Sequence, residues 1–178
     1  TIDVARKIVP DNQICVSTDD REIIKVVEDY GLKVPFVRPK ELATDHSGTY
    51  EVLLHALKHY EDKGMHYDVV LLLQVTSPFR MERHVREALS MYTPDVDMVV
   101  SVKEATANPY YSLYEEDKDG YLQISKGDGT IVRRQDAPKV YEYNGAVYVI
   151  NPESMKRCSL SLFKHCKKYV MDELSSFD

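Results

Sequence analysis

Apolar positions fall into short continuous runs, separated by stretches where they recur every three or four residues. The runs are residues 13–18 (QICVST), 33–37, 68–74 (DVVLLLQ), 97–103 (DMVVSVK) and 143–150 (YNGAVYVI). Short β-branched runs bounded by polar residues read as buried strands. The stretches between them have helical spacing. Residues 1–9 put Ile2, Ala5 and Ile8 on one face, and Pro10 ends them. A second helix carries Ile23, Ile24, Val27 and Tyr30. Asp19, three residues before Glu22, reads as its cap and Gly31 as its stop. A third covers residues 49–63 with Leu53, Ala56, Leu57 and Tyr60, closed by Gly64. A fourth follows Thr76-Ser77-Pro78 and runs to about Tyr92, with Val85, Ala88 and Leu89 inward. Ser77 is the expected cap and Pro78 the first helical residue.

Strand and helix alternate up to residue 103. That order predicts an α/β fold of right-handed βαβ units on a mostly parallel sheet. Ligands in such sheets sit beyond the carboxyl ends of the strands. The regions around Asp19, Arg38, Gln74 and Lys103 lie at such ends and are expected to share one crevice. The rhythm changes at Asn108. Residues 110–115, the turn 117–120 and residues 121–124 read as a hairpin. Residues 130–134 read as a further short strand, 151–157 as a helix and 168–171 as a last strand. The second half is therefore expected to form an antiparallel arm, about residues 108–143, on the same single domain.

Composition narrows the function. The formal charge of −6 argues against a broad nucleic-acid-binding surface. No apolar run approaches the roughly 18 residues of a membrane span. Cys15, Cys158 and Cys166 form a sparse odd set without metal-ligand spacing, which favours reduced thiols in a cytoplasmic protein. His55 and His59 form an i, i+4 pair without further ligands, so they read as helix surface. Both ends look abrupt, as in a fragment or a trimmed chain.

Several polar residues are candidates for chemistry. Arg38 precedes Pro39, so its backbone is extended and its side chain is expected to point into the crevice. Arg133 and Arg134 would face opposite ways on a strand, one of them toward the crevice. A guanidinium there suits a carboxylate or phosphate. Gln74 ends the most apolar strand, where its amide needs partners. Thr49 is placed to cap its helix and aim amides at an anion. Asn144-Gly145 inside a strand marks a close backbone approach, which makes Asn144 a candidate ligand contact. These residues alone imply an anion-friendly crevice without a specified function.

Five runs resemble one family. They are ICVSTDDREI (14–23), RPKELATDHSGT (38–49), LLLQVTSPFR (71–80), RRQDAPKVYEYNGAVYVI (133–150) and YVMDELSSFD (169–178). In this order they resemble the CMP-sialic acid synthetase-like cytidylyltransferases, over nearly the whole chain. The resemblance implies a three-layer Rossmann-like nucleotide-diphospho-sugar transferase fold with a small antiparallel dimerisation arm. It implies transfer of CMP from CTP to a nine-carbon 2-keto sugar acid, with release of pyrophosphate and Mg²⁺ at the phosphates. It places Arg38 near the cytosine and Thr49 at a nucleotide-contacting position. It places Gln74, Arg134 and Asn144 around the acceptor sugar. Asp178 corresponds to the first carboxylate of a metal-binding Asp-x-Asp pair. A homodimer is implied, with the arm crossing to its partner.

Departures from the family pattern set further expectations. The family's opening phosphate loop, of the form ARxGSKG, has no match here, and the second Asp of the metal pair is absent. These 178 residues are therefore expected to be inactive as they stand, and a longer protein active. Asn108-Pro109-Tyr110-Tyr111 lacks a lysine found in some sialic acid enzymes. It resembles relatives acting on bacterial acids such as legionaminic or pseudaminic acid. The alternatives are a noncatalytic nucleotide- or sugar-acid-binding module and a different nucleotidyltransferase of the same general fold.

Overall fold

The computed structural model describes residues 1–44 and 48–177. Its elements in chain order are α1 (Ile2–Arg6), α2 (Arg21–Asp29), α3 (Thr49–Glu61), β1 (Val70–Leu72), α4 (Glu82–Ser90), β2 (Met98–Glu104), β3 (Tyr114–Glu116), β4 (Leu122–Ile124), β5 (Tyr141–Ile150), α5 (Pro152–Arg157) and β6 (Cys166–Val170). The main sheet has the order β1-β5-β2-β6. β2 and β6 are parallel, and β5 runs antiparallel to both β1 and β2. Three of the four strands thus point the same way.

Alternation along the strands builds two cores. Val99, Val147 and Val149 face α4 through Val85 and Ala88, with Val4 and Ile8 from the N-terminal segment alongside. Met98, Val100, Val102 and Ile150 face the opposite way onto Leu57 of α3 and Met155 of α5. Helices cover both faces, which makes the expected three-layer α/β fold. Val99, Val147, Val149 and Ile150 are fully buried. Burying each such side chain contributes about 1.5–3 kcal/mol against exposure.

One side chain anchors the far end of the sheet. Asp97, just before β2, accepts from Ser154 Oγ at 2.6 Å and from the backbone N–H groups of Lys164 and His165 at 3.1 and 2.9 Å. It thereby ties the starts of β2, α5 and β6 together. The Ser154 hydroxyl, then the backbone donors, hold its carboxyl below the usual range.

Several sequence expectations need correction. The strand expected over residues 143–150 is β5, which lies in the middle of the main sheet but runs antiparallel to its neighbours. Direction was the hidden variable. The long excursion over residues 105–140 returns the chain to the end that β2 leaves, so β5 enters antiparallel without the crossover a parallel neighbour needs. Residues 13–18 and 33–37 form no strands. They run side by side through one parallel bridge, Thr18↔Val37, and stay half-exposed through most of their length. α2 is capped by Asp20, which accepts from the N–H groups of Glu22 and Ile23; Asp19 is not the cap. Thr49 is the first helical residue of α3, behind Gly48. Residues 130–134 are not a strand, because Arg134 opens a 3₁₀ turn over Arg134–Asp136. Arg133 instead pairs with Asp136 at 2.7 Å. The hairpin exists as β3 and β4, in register Tyr114↔Ile124. Asp117 accepts from the N–H groups of Asp119 and Tyr121 across its turn.

α4 starts later than the proline implies. Ser77 does not cap it. Residues 75–80 form a turn, and the helix begins at Glu82 behind Met81. His84 Nδ1 accepts the Met81 N–H at 3.1 Å. That is the back half of a capping box, with imidazole where glutamine or glutamate is usual. His84 is buried, and desolvation followed by the Arg83 charge pulls its pKa below the ordinary 6.5. The unfolded chain therefore takes up the proton first. The stability contributed by neutral His84 is present above about pH 6.5 and lost as the pH falls through that value. The urea midpoint should drop between about pH 7.5 and about pH 5.5. His84→Gln, which keeps an acceptor but does not titrate, should make that slope shallower. An unchanged slope would remove His84 from the account.

Candidate functional site

The site grows out of a defect in the sheet. β2 and β5 pair as Val100↔Tyr148 and again as Val102↔Tyr143. Ser101 alone therefore faces residues 144–147 of β5. Gly145 takes a φ of +72° in this bulge, a value that a β-carbon disfavours. The bulge frees backbone groups from the ladder in a buried place, so side chains must satisfy them. Asn144 Oδ1 accepts the Ala146 N–H at 3.2 Å, and Ser101 Oγ accepts the Val147 N–H at 2.7 Å. Ser101 Oγ donates in turn to Asn144 Oδ1 at 2.6 Å. The Ala146 carbonyl accepts from Arg80 Nη1 at 2.9 Å. On its other side, Asn144 Nδ2 donates to Ser176 Oγ at 2.9 Å, and Ser176 donates to the Asp172 carbonyl at 2.7 Å. Asn144 thus joins the bulge to the C-terminal turn.

A cavity of about 470 Å³ opens where these parts meet. Gln74 enters from beyond β1, Lys103 from the end of β2, and Glu142, Gly145 and Tyr148 from β5. The C-terminal turn adds Glu173, Ser176 and Phe177. The cavity lies at the carboxyl ends of β1 and β2, as the topology requires. Lys103 Nζ sits 2.7 Å from Glu142 Oε1. Glu142, with a smaller contribution from Glu173, raises the Lys103 pKa, so the ammonium stays charged. A second cavity of about 420 Å³ lies at the base of the arm. It is lined by Asn108, Arg134, Gln135 and Pro138, with Glu104 and Lys139 paired at its edge at 2.9 Å. Asn108 Nδ2 donates to the Pro138 carbonyl at 2.9 Å and fixes that base.

The structure separates the six residues singled out from the sequence. Gln74 and Asn144 share the first cavity. Arg134 lines the second. Arg38 and Thr49 line neither of these two cavities. Arg38 turns back onto residue 17, donating from Nε to Ser17 Oγ at 3.1 Å and from Nη2 to the Ser17 carbonyl. Asp178, the expected metal ligand, lies outside the described residues. The expected common crevice for Asp19, Arg38, Gln74 and Lys103 holds only for the last two. Asn144 lines the cavity, and its amide oxygen and nitrogen bond to neighbours inside the fold. Among the described residues, no group of three or more His, Cys, Asp or Glu is placed to hold a metal ion.

Sequence reasoning missed Ser101, Ser176, Glu142 and Arg80. Each stands inside a quoted run, but no periodicity marks a residue whose partners arise from a bulge. Of the cysteines, Cys15 has its thiol pKa pushed up by burial, which makes it a poor nucleophile. No helix among the described residues is long and apolar enough to cross a membrane.

Removing the keystone of the bulge should be costly. Asn144→Ala leaves the Ala146 N–H and two serine hydroxyls short of partners in a buried place. A loss of about 2–4 kcal/mol in unfolding free energy is expected by urea titration. A loss below about 1 kcal/mol would contradict the network.

Comparison with known proteins agrees with this architecture. A family model described as cytidylyltransferase matches residues 1–174. The N-acylneuraminate cytidylyltransferase of Streptococcus agalactiae serotype III is 36% identical over 166 residues, which are 93% of this chain and 39% of that protein. The CMP-N,N'-diacetyllegionaminic acid synthase of Legionella pneumophila is 30% identical over 137 residues, 77% of this chain and 59% of that protein. Among solved structures, CMP:2-keto-3-deoxy-manno-octonic acid synthetase complexed with CTP matches with a TM-score of 0.57 at 15% identity, covering 88% of this chain and 71% of that one. That likeness shows the fold. The chain spans about two fifths of the streptococcal relative's length.

Proposed function

Because the chain belongs to the cytidylyltransferase family, we propose that it transfers CMP from CTP to a nine-carbon 2-keto sugar acid, sialic acid or a bacterial sialic-like acid, and releases pyrophosphate. The observation that carries the reading is the family match over residues 1–174, joined to a polar cavity at the carboxyl ends of the strands. In that cavity Gln74 offers both donors and an acceptor to sugar hydroxyls. Lys103, charged and only partly occupied by Glu142, is the described cation able to meet the acceptor carboxylate there. Glu142 and Glu173 accept from hydroxyl or acylamino groups, which favours a heavily substituted sugar.

The nucleotide side of the proposal rests on Arg38 and Thr49. Mg²⁺ supplies charge neutralisation at the triphosphate when bound, and Asp178 is its proposed ligand. The chain's own part is to orient the acceptor hydroxyl and keep its carboxylate fixed on a cation.

The proposal includes a homodimer. The arm exposes Tyr114, Tyr121, Leu122 and Val132 to water. Exposed apolar surface on a two-stranded ribbon needs a cover, since such a ribbon is marginal by itself. In the proposed dimer the arm packs on the second copy and brings Arg134 toward that copy's cavity. Light scattering after size exclusion should give the mass of two chains, and Leu122→Glu should shift it to one. A single-chain mass for the unaltered protein at high concentration would contradict the dimer.

Pyrophosphate release tests the reaction. The protein is assayed with CTP and a panel of N-acetylneuraminic, legionaminic, pseudaminic and eight-carbon octulosonic acids. Release is expected with CTP and a nine-carbon acid, and Lys103→Met should raise the acceptor KM about tenfold or more while leaving that for CTP within about twofold. No release with any acid would contradict the reaction. Protection of the protein by these ligands without turnover would favour a binding module.

A further inference from the structure

Among the described residues, Arg80 is the buried guanidinium, and the proposed reaction does not use it. It is 4% exposed. No carboxylate pairs with it among the described residues. Its Nη1 donates to two backbone carbonyls, Gln74 at 2.7 Å and Ala146 at 2.9 Å, and Nη2 donates to Thr1 Oγ1 at 2.8 Å. Its Nε has no partner. These bonds explain why a donor stands here, but a neutral donor would make them without the cost of burying a charge that has no counter-ion. The charge, more than the donors, is what the fold leaves unexplained.

Its place gives the charge a use. The β1–β5 ladder ends at Leu72↔Tyr148. Beyond that pair, one chain continues to Gln74 and the other lies in the bulge. The two separate at the point where the cavity opens. Arg80 bridges the gap, holding the Gln74 carbonyl on one side and the bulge carbonyl on the other. Gln74 and Gly145, the neighbour of Ala146, both line the cavity. Resting on the reading of this cavity as the acceptor site, we propose that Arg80 is its positioning residue. It sets the spacing between Gln74 and the bulge and lends positive potential from beneath to an acidic ligand. This balances Glu142 and Glu173, which otherwise leave the lining with more negative than positive charge.

The test uses Arg80→Gln, which keeps donors but loses the charge, and Arg80→Lys, which keeps the charge but loses the fork. Steady-state kinetics are measured separately for the acid and for CTP. Arg80→Gln should raise the acceptor KM about tenfold or more, with the CTP KM within about twofold, and Arg80→Lys should recover part of that loss. An unmoved acceptor KM in Arg80→Gln, or equal rises for both substrates, would overturn the proposal. If Arg80→Gln does not fold, Arg80→Lys decides alone: an acceptor KM unchanged from the unaltered protein overturns it. If the unaltered protein shows no turnover, the functional reading fails, and amide hydrogen exchange then tests Arg80 separately. Arg80→Lys should speed exchange at residues 74–75 and 145–147 while β2 stays protected. Equal exchange in both proteins, or loss of protection throughout, would overturn the positioning role.

Discussion

The site depends on one constraint: backbone groups released by the β5 bulge must be satisfied where water is excluded. Residues 144–147 have left the ladder, and Gly145 turns through a conformation that other residues avoid. Ser101, Asn144 and Arg80 supply the missing partners. Each of the three then does a second job. Ser101 holds Asn144, Asn144 holds the C-terminal turn, and Arg80 holds the segment after β1. The cavity walls are these held parts. Repairing a defect in the sheet and building a pocket are therefore the same set of bonds.

This economy explains the cavity's charge. Its lining carries one ammonium and two carboxylates, an unpromising set for an acid. Lys103 is already engaged by Glu142, although an ammonium has three donors and can accept a second anion. The buried Arg80 adds positive charge without taking up lining surface. Arg134, which the sequence placed in the same pocket, lies at the base of the arm, lining a different cavity. In the proposed dimer that position becomes useful only through the second copy. The carboxylates remain as hydrogen-bond acceptors for the substituents that distinguish one sugar acid from another.

Much of the fold was legible because burial leaves a periodic trace. The runs over residues 68–74 and 97–103 contain the strands Val70–Leu72 and Met98–Glu104, the hairpin turn is where Asp117 and Gly120 put it, and Asn151 caps the helix that follows β5. What failed had no local signature. Nothing in YNGAVYVI tells whether the strand runs with or against its neighbours, because direction depends on where a long connection returns. Ser77-Pro78 carries every mark of a helix start, yet the helix waits until Glu82, after Arg80 has reached back to Gln74. The same limit applies to the site. Gln74 could be found because an amide at the end of an apolar strand needs partners. Asn144 was marked by the glycine beside it; that glycine belongs to a bulge, and the Asn144 amide closes it from the cavity wall. Arg38 was expected to face the crevice, but bonds to residue 17 hold it instead.

The central claim is that the pocket framed by the bulge is where the acid binds. Titrating the ¹⁵N-labelled protein with N-acetylneuraminic acid and following amide chemical shifts tests it most directly. The account predicts the largest shifts at Gln74, Lys103, Gly145 and Ser176. Shifts confined to Asn108, Gln135 and Lys139 at the base of the arm, with those four amides still, would contradict it.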